Sequence, residues 1–210
     1  MSQKQLLKDR DYTFILARSP ETWSSQHPYN MEWIGAQTAI INLAKRCSQY
    51  DDDGLSLYLA SEPYQKIMRA DVNQLARFFQ NQAQSTEIDI FSPLKDALED
   101  YFSRRNIGIS RNGEMIFVIL DIIPPEKEIL IELIVKATER MDIIKEEDNK
   151  HELGIVFLQV GNDAPTKEFL TVLDDQLHDK GARHDIVDAK FWYDARKSSI
   201  DNFLVNALMD

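Results

Sequence analysis

A chain of 210 residues with 43% hydrophobic and 28% charged residues has the balance of a globular protein with one sizeable core, which excludes a disordered or low-complexity chain. Its formal net charge of −11 argues against nucleic acid, a polyanion that calls for a basic face, and no apolar run reaches the length of a membrane span. The single cysteine rules out an internal disulfide, and the polar, lysine-bearing segment 1–10 does not read as a signal peptide, so the expected setting is cytoplasmic and reducing.

Tyr12 to Ala17 is short, apolar and rich in strand formers, and reads as a buried strand. Arg18 to Asn30 is a polar loop containing Pro20 and Pro28. Trp33, Ala36, Ile40, Leu43, Ala44 and Cys47 recur at helical spacing and predict a helix ending near Tyr50, with Cys47 a buried structural thiol on its inner stripe. Asp51-Asp52-Asp53-Gly54 is a turn, because Asp favours Asx turns and Gly tolerates positive φ. Three adjacent carboxylates also suggest a cation site, but no further ligands follow at loop spacing. Leu55 to Ala60 is the second strand, and Asp71 is placed to cap a helix over Val72 to Gln80.

Asn81 to Ile90 is polar and irregular. Ser92-Pro93 reads as an N-cap followed by proline at the first helical position, and Leu94, Ala97, Leu98 and Tyr101 continue as a helical stripe. Arg104 and Arg105 suit the last turn of that helix, where cations complement the dipole. A loop over Ile107 to Gly113 leads into Met115–Leu120, the most hydrophobic stretch, which reads as a central strand ending at Asp121. Pro124-Pro125 opens a helix with Leu130, Leu133, Ile134, Ala137 and Met141 inside. After a charged connection over Glu146 to Lys150 come a strand over Leu153 to Val160, a helix over Asp163 to Gly181, an edge strand at Asp185–Asp188, and a final helix carrying Ile200, Phe203, Leu204, Ala207 and Leu208.

The order β-α-β-α-α-β-α-β-α-β-α predicts an α/β fold: three layers, doubly wound, with a mostly parallel sheet covered by helices on both faces. It forms one domain over 11–210 behind the polar segment 1–10. Ligands of such sheets bind outside the carboxyl ends of the strands, which directs attention to Ala17–Trp23 and Asp121–Pro125.

At those positions the sequence resembles a family. Arg10-Asp11-Tyr12-Thr13-Phe14-Ile15-Leu16 followed by Ala17-Arg18-Ser19-Pro20-Glu21 is similar to the opening of a von Willebrand A domain, where the first strand ends in Asp-x-Ser-x-Ser. Asp52-Asp53-Gly54, Gln159-Val160-Gly161-Asn162-Asp163, Phe169–Asp175 and Asp185–Asp188 extend the resemblance over about residues 10 to 210, nearest to the bacterial tellurium-resistance-type subgroup and its stress-response setting. The resemblance implies a divalent-metal adhesion site. Its first aspartate falls at Ala17, its serines at Ser19 and Glu21, its threonine at Ile88 with Thr86 two residues away, and its last aspartate at Asp121. A hard divalent cation wants about six oxygen ligands. Alanine and isoleucine at two of these positions remove them, so the expectation is no metal and no cofactor. If Mg²⁺ or Mn²⁺ binds at all, it does so through Ser19, Glu21 and Asp121, with Thr86 or Asp89 as additions. Without an ion, Ser19 and Asp121 would serve as loop caps.

Ile88, Ile90, Ile122, Ile123, Pro124 and Pro125 make this rim apolar, with Trp23 and Trp33 in or beside the first loop. They either form a protein-binding surface or pack inward as the loops fold over them. The leading expectation is a non-enzymatic protein-binding module using Ser19, Glu21, Trp23, Asp121, Ile122, Ile123 and Pro124. The alternatives are metal-dependent adhesion through a rebuilt site and a structural role as a homo-oligomer. Phosphate-binding glycine loops and a nucleophile elbow are absent from the sequence. His27, His151, His178 and His184 are scattered surface residues. The enzymatic alternative is a carboxylate dyad of Asp121 with Glu21 or Asp89.

Overall fold

Apolar side chains along β1 (Arg10–Ala17) divide between two hydrophobic clusters, one on each side of a sheet, because successive strand residues face opposite ways. Phe14 and Leu16 enter one cluster, Ile15 and Ala17 the other. β4 (Gly113–Leu120), buried along its whole length, sorts Met115, Phe117 and Ile119 from Ile116, Val118 and Leu120 in the same way. The structure is a computed structural model describing residues 7–8, 10–80, 87–106, 112–142, 152–194 and 199–209.

With β2 (Leu55–Leu59), β3 (Gln65–Ala70), β5 (Leu153–Gln159) and β6 (Val187–Phe191), the strands form one sheet in the order β3-β2-β1-β4-β5-β6. Every neighbouring pair is parallel except β2 with β3. One face is covered by α1 (Tyr29–Cys47), α2 (Val72–Gln80) and α6 (Ile200–Met209). The other is covered by α3 (Phe91–Asn106), α4 (Lys127–Met141) and α5 (Ala164–Asp175). The fold is therefore the expected three-layer α/β sheet. Cys47 is fully buried, and burial pushes its thiol well up, as suits a structural residue.

The sequence reading missed β3. This edge strand is mostly exposed and polar, so it carries no alternating apolar signal, and Lys66 on it pairs with Asp96 at 2.6 Å. Its pairing with β2 is irregular: the register shifts between Leu55 and Leu57, and Arg69 adopts a φ of 53°. Gly54, at φ 94°, lies so close to the Arg69 backbone that a side chain there would sit 3.0 Å from it.

Several boundaries also move. Arg10 is the first residue of β1 and Leu7 is 1% exposed in the core, so the polar lead is partly built into the fold. α1 ends at Cys47, before Tyr50. Ser92 lies inside α3 and donates its backbone N–H to Asp89 Oδ1 at 2.9 Å, so Asp89 takes the capping role assigned to Ser92. α4 begins at Lys127, after both prolines. The helix capped by Asp163 stops at Asp175, and a separate 3-10 turn, His178–Lys180, closes on Gly181 in the left-handed region. β6 overlaps the predicted Asp185–Asp188 strand only at its end. Asp71 does cap α2, accepting from the Gln74 backbone N–H at 2.9 Å. The Glu146–Lys150 connection and His151 lie outside the described residues.

The amino-terminal end of the sheet is tied by buried charge. Arg104, at the end of α3, donates to Glu114 Oε2 at 2.8 Å and also binds Asp11, while Thr13 donates its hydroxyl to Glu114 Oε1 at 2.6 Å. Arg10 donates to the backbone carbonyls of Glu114 and Glu152. Burial pushes the Glu114 carboxyl up to about 7, against the pull of Arg104 and Thr13. Burial, together with a hydrogen bond to Asp53, pushes Asp51 up to about 8. A carboxyl with a raised pKa binds a proton in the folded state that the unfolded chain releases, so its contribution to stability falls as pH rises from the unfolded pKa to the folded one. The melting temperature is therefore expected to be higher near about pH 5 than near about pH 8, with a shallower slope in Glu114→Gln. A melting temperature that climbs across this window, or a slope unchanged by the substitution, would contradict the assignment.

Candidate interaction site

β1 and β4 lie side by side, with Ala17 opposite Leu120 at their carboxyl ends. The next strand after β1 lies to one side and the next after β4 to the other. This is the switch point at which the connecting loops diverge and leave a crevice. The two loops marked in the sequence, after Ala17 and after Leu120, therefore do meet.

Their meeting point is Asp121, which is 3% exposed. Four donors converge on its carboxylate. The Ser19 backbone N–H lies 3.1 Å from Oδ1 and 3.2 Å from Oδ2, and the Ser19 hydroxyl lies 3.0 Å from Oδ2. The Thr22 hydroxyl is 2.9 Å from Oδ2, and the indole N–H of Trp33 is 2.6 Å from it. Burial pushes the Asp121 carboxyl above the usual carboxylate range, and the bonds from Trp33, Thr22 and Ser19 oppose that rise. The sequence explains the local geometry. Pro20 opens a 3-10 turn over Pro20–Trp23, and this turn places Thr22, 1% exposed, back under Ser19. Trp33 arrives from the inner stripe of α1 and packs near Phe79 of α2. Ser19 occupies the cap position of the turn but makes no side-chain cap, because its hydroxyl is committed to Asp121. Asp121 is likewise no loop cap but the acceptor at the centre of this network.

Arg18 closes the arrangement. Its guanidinium lies 3.8 Å above the Trp23 ring and 5.3 Å from that of Trp33, and it donates to the Thr22 carbonyl at 2.6 Å. Burial pulls Arg18 down to about 10, with the charge of Asp121 opposing that fall. Trp23 is half-buried beneath it rather than displayed, and its buried Nε1 has no hydrogen-bond partner among the described residues.

Beside this network opens a cleft of about 670 Å³. Of the residues expected to bind a partner, Ser19, Glu21, Ile122 and Ile123 line it, whereas Asp121, Trp23 and Pro124 do not. Pro124 is buried, and Ile122 is 42% exposed. The apolar rim thus splits: Ile90 and Pro124 pack inward, while Ile122 remains at the surface. Arg18, Thr22 and Trp33 escaped the sequence reading as partners of Asp121. Thr22 carried a weak signal, three residues beyond Ser19 on a proline-started turn. Trp33 lies 88 positions from Asp121 and carried none.

As placed, these residues do not fit a divalent cation. Ala17 offers no ligand, Asp121 Oδ2 is engaged by N–H and O–H donors, and an indole N–H cannot become a ligand. Glu21 is exposed on the turn, Asp89 is bound to the Ser92 backbone N–H, and Thr86 lies outside the described residues. Among the described residues, the acidic trio close enough to share an ion is Asp11, Asp51 and Asp53, at the opposite end of the sheet.

Removing the indole donor leaves Asp121 buried with fewer partners. Trp33→Phe is expected to destabilise the fold by about 1.5–3 kcal/mol, the range for a hydrogen bond to a charged group. In a double-mutant cycle with Asp121→Asn, followed by urea unfolding, the two changes are expected to couple by about 1 kcal/mol or more. Simple additivity would remove the bond from the account.

No family model and no curated protein matches this chain. Among solved structures, the crystal structure of manganese-loaded Plasmodium vivax TRAP protein aligns with a TM-score of 0.45 and 11% identity, covering 90% of this chain and 71% of that one. A likeness of this degree assigns no function.

Proposed function

We propose that this protein is a non-enzymatic protein-binding module of the von Willebrand A type, in which an internal hydrogen-bond network occupies the position of a metal. The observation that carries the proposal is the convergence of Ser19, Thr22 and Trp33 on the buried carboxylate of Asp121. A carboxylate held in this way serves neither as a metal ligand nor as half of a catalytic dyad. Of the two candidates for its partner in such a dyad, Asp89 is half-buried and committed to the start of α3, and Glu21 is exposed on the turn. What remains at the carboxyl ends of the strands is a cleft with a branched aliphatic rim, a surface suited to burying a partner's side chain. The motifs resembling the bacterial tellurium-resistance-type subgroup carry the finer assignment, with its cytoplasmic, stress-response setting.

The test is a partner screen with the wild type, repeated with Ile122→Asp and with excess EDTA. The expected result is a specific partner whose affinity falls about tenfold or more in Ile122→Asp, a loss of ~1.4 kcal/mol, and does not change with EDTA. Binding abolished by EDTA would restore metal-dependent adhesion. Binding indifferent to Ile122→Asp would place the interface elsewhere.

A further inference from the structure

The lining of the cleft has a one-sided charge. Glu21, Glu62, Glu87, Asp89 and Glu126 contribute five carboxylates, and no Lys, Arg or His is among the lining residues. Between them lie Ile88, Phe91, Ile122 and Ile123. Glu126 adds a second observation: its Oε2 is shielded from solvent and accepts no hydrogen bond among the described residues. Glu126 is half-buried at the edge of the cleft, so this oxygen is an acceptor within reach of a charged donor that enters it.

We infer that this cleft binds a cationic segment of a protein partner, with a Lys or Arg side chain directed to the carboxylates and a neighbouring apolar side chain seated on Ile122, Ile123 and Phe91. The inference rests on the protein-binding reading above and adds the chemistry of the partner. Three features separate this occupant from others. The volume falls within the range of sites that take a group of several side chains or a small ligand. The cleft carboxylates do not converge within ion-sharing distance, whereas Asp11, Asp51 and Asp53 do, so the cleft offers spaced acceptors rather than one coordination point. The field of an acidic wall repels acidic peptides and nucleic acid and attracts cations.

The test is panning of a phage-displayed random peptide library on the wild-type protein and on a Glu21→Gln, Glu87→Gln, Glu126→Gln variant. Asp89 is left intact because it caps α3. The variant's melting curve must first match the wild type, and if the triple variant unfolds, Glu21→Gln alone, on the exposed turn, takes its place. The expected result is enrichment of peptides pairing Lys or Arg with an aliphatic or aromatic residue. Their affinity should fall about tenfold or more in the variant and fall steeply with added salt. Enrichment of acidic or uncharged peptides, of none, or of basic peptides whose binding ignores the substitutions overturns the inference. Uncharged peptides lost in Ile122→Asp would overturn the cationic occupant alone and leave the protein-binding reading in place.

Discussion

The carboxylate of Asp121 is buried at the end of the central strand, where an unsatisfied charge would be intolerable. The surrounding structure is arranged to satisfy it. The loop after β1 folds into a 3-10 turn that delivers Ser19 and Thr22. The first helix begins close enough to deliver Trp33, and Arg18 is drawn in over the two tryptophans. One acceptor thus connects two strands, a turn and a helix. Pre-placed donors fix loop geometry because each bond is worth more in a water-poor site than at the surface.

That arrangement shapes the chemistry of the neighbouring surface. A carboxylate used internally is withdrawn from solvent, and Asp121 does not line the cleft. The residues that do include the aliphatic groups after β4 and carboxylates from the segments after β1, β2 and β4 and before α3. The guanidinium of Arg18 is stacked on Trp23 and does not line the cleft, whose lining stays acidic. The opposite end of the sheet also gathers charge, but there Arg104 pairs with the buried Glu114 carboxylate and ties α3 to the strands, while Arg10 donates to the Glu114 backbone carbonyl.

The fold was legible because its signals are periodic and local. Apolar runs at Tyr12–Ala17 and Met115–Leu120 become strands buried on both faces, and helical stripes such as Trp33 to Cys47 cover them. β3 was illegible because an exposed edge strand needs no apolar alternation, and helix starts shifted where Asp89 rather than Ser92 took the cap. The sequence pointed to the two loops that meet at Asp121 and to Ser19, Glu21, Ile122 and Ile123, which line the cleft beside them. It could not show that Trp23 would lie under Arg18, that Pro124 would turn inward, or that Trp33 would reach Asp121. Those outcomes depend on tertiary approach between residues far apart in the chain, with no local pattern to announce them.

The account's central claim is that hydrogen-bond donors hold Asp121 where an ion would otherwise be needed. Thermal melts of the wild-type protein with and without excess Mg²⁺ or Mn²⁺, with Asp121→Asn as control, test it most directly. An ion present at about 100 times its Kd would stabilise the fold by roughly 2.7 kcal/mol, a displacement of several degrees. The account predicts no displacement with either ion. An upward shift of several degrees that disappears in Asp121→Asn would contradict it, showing that the carboxylate still coordinates metal.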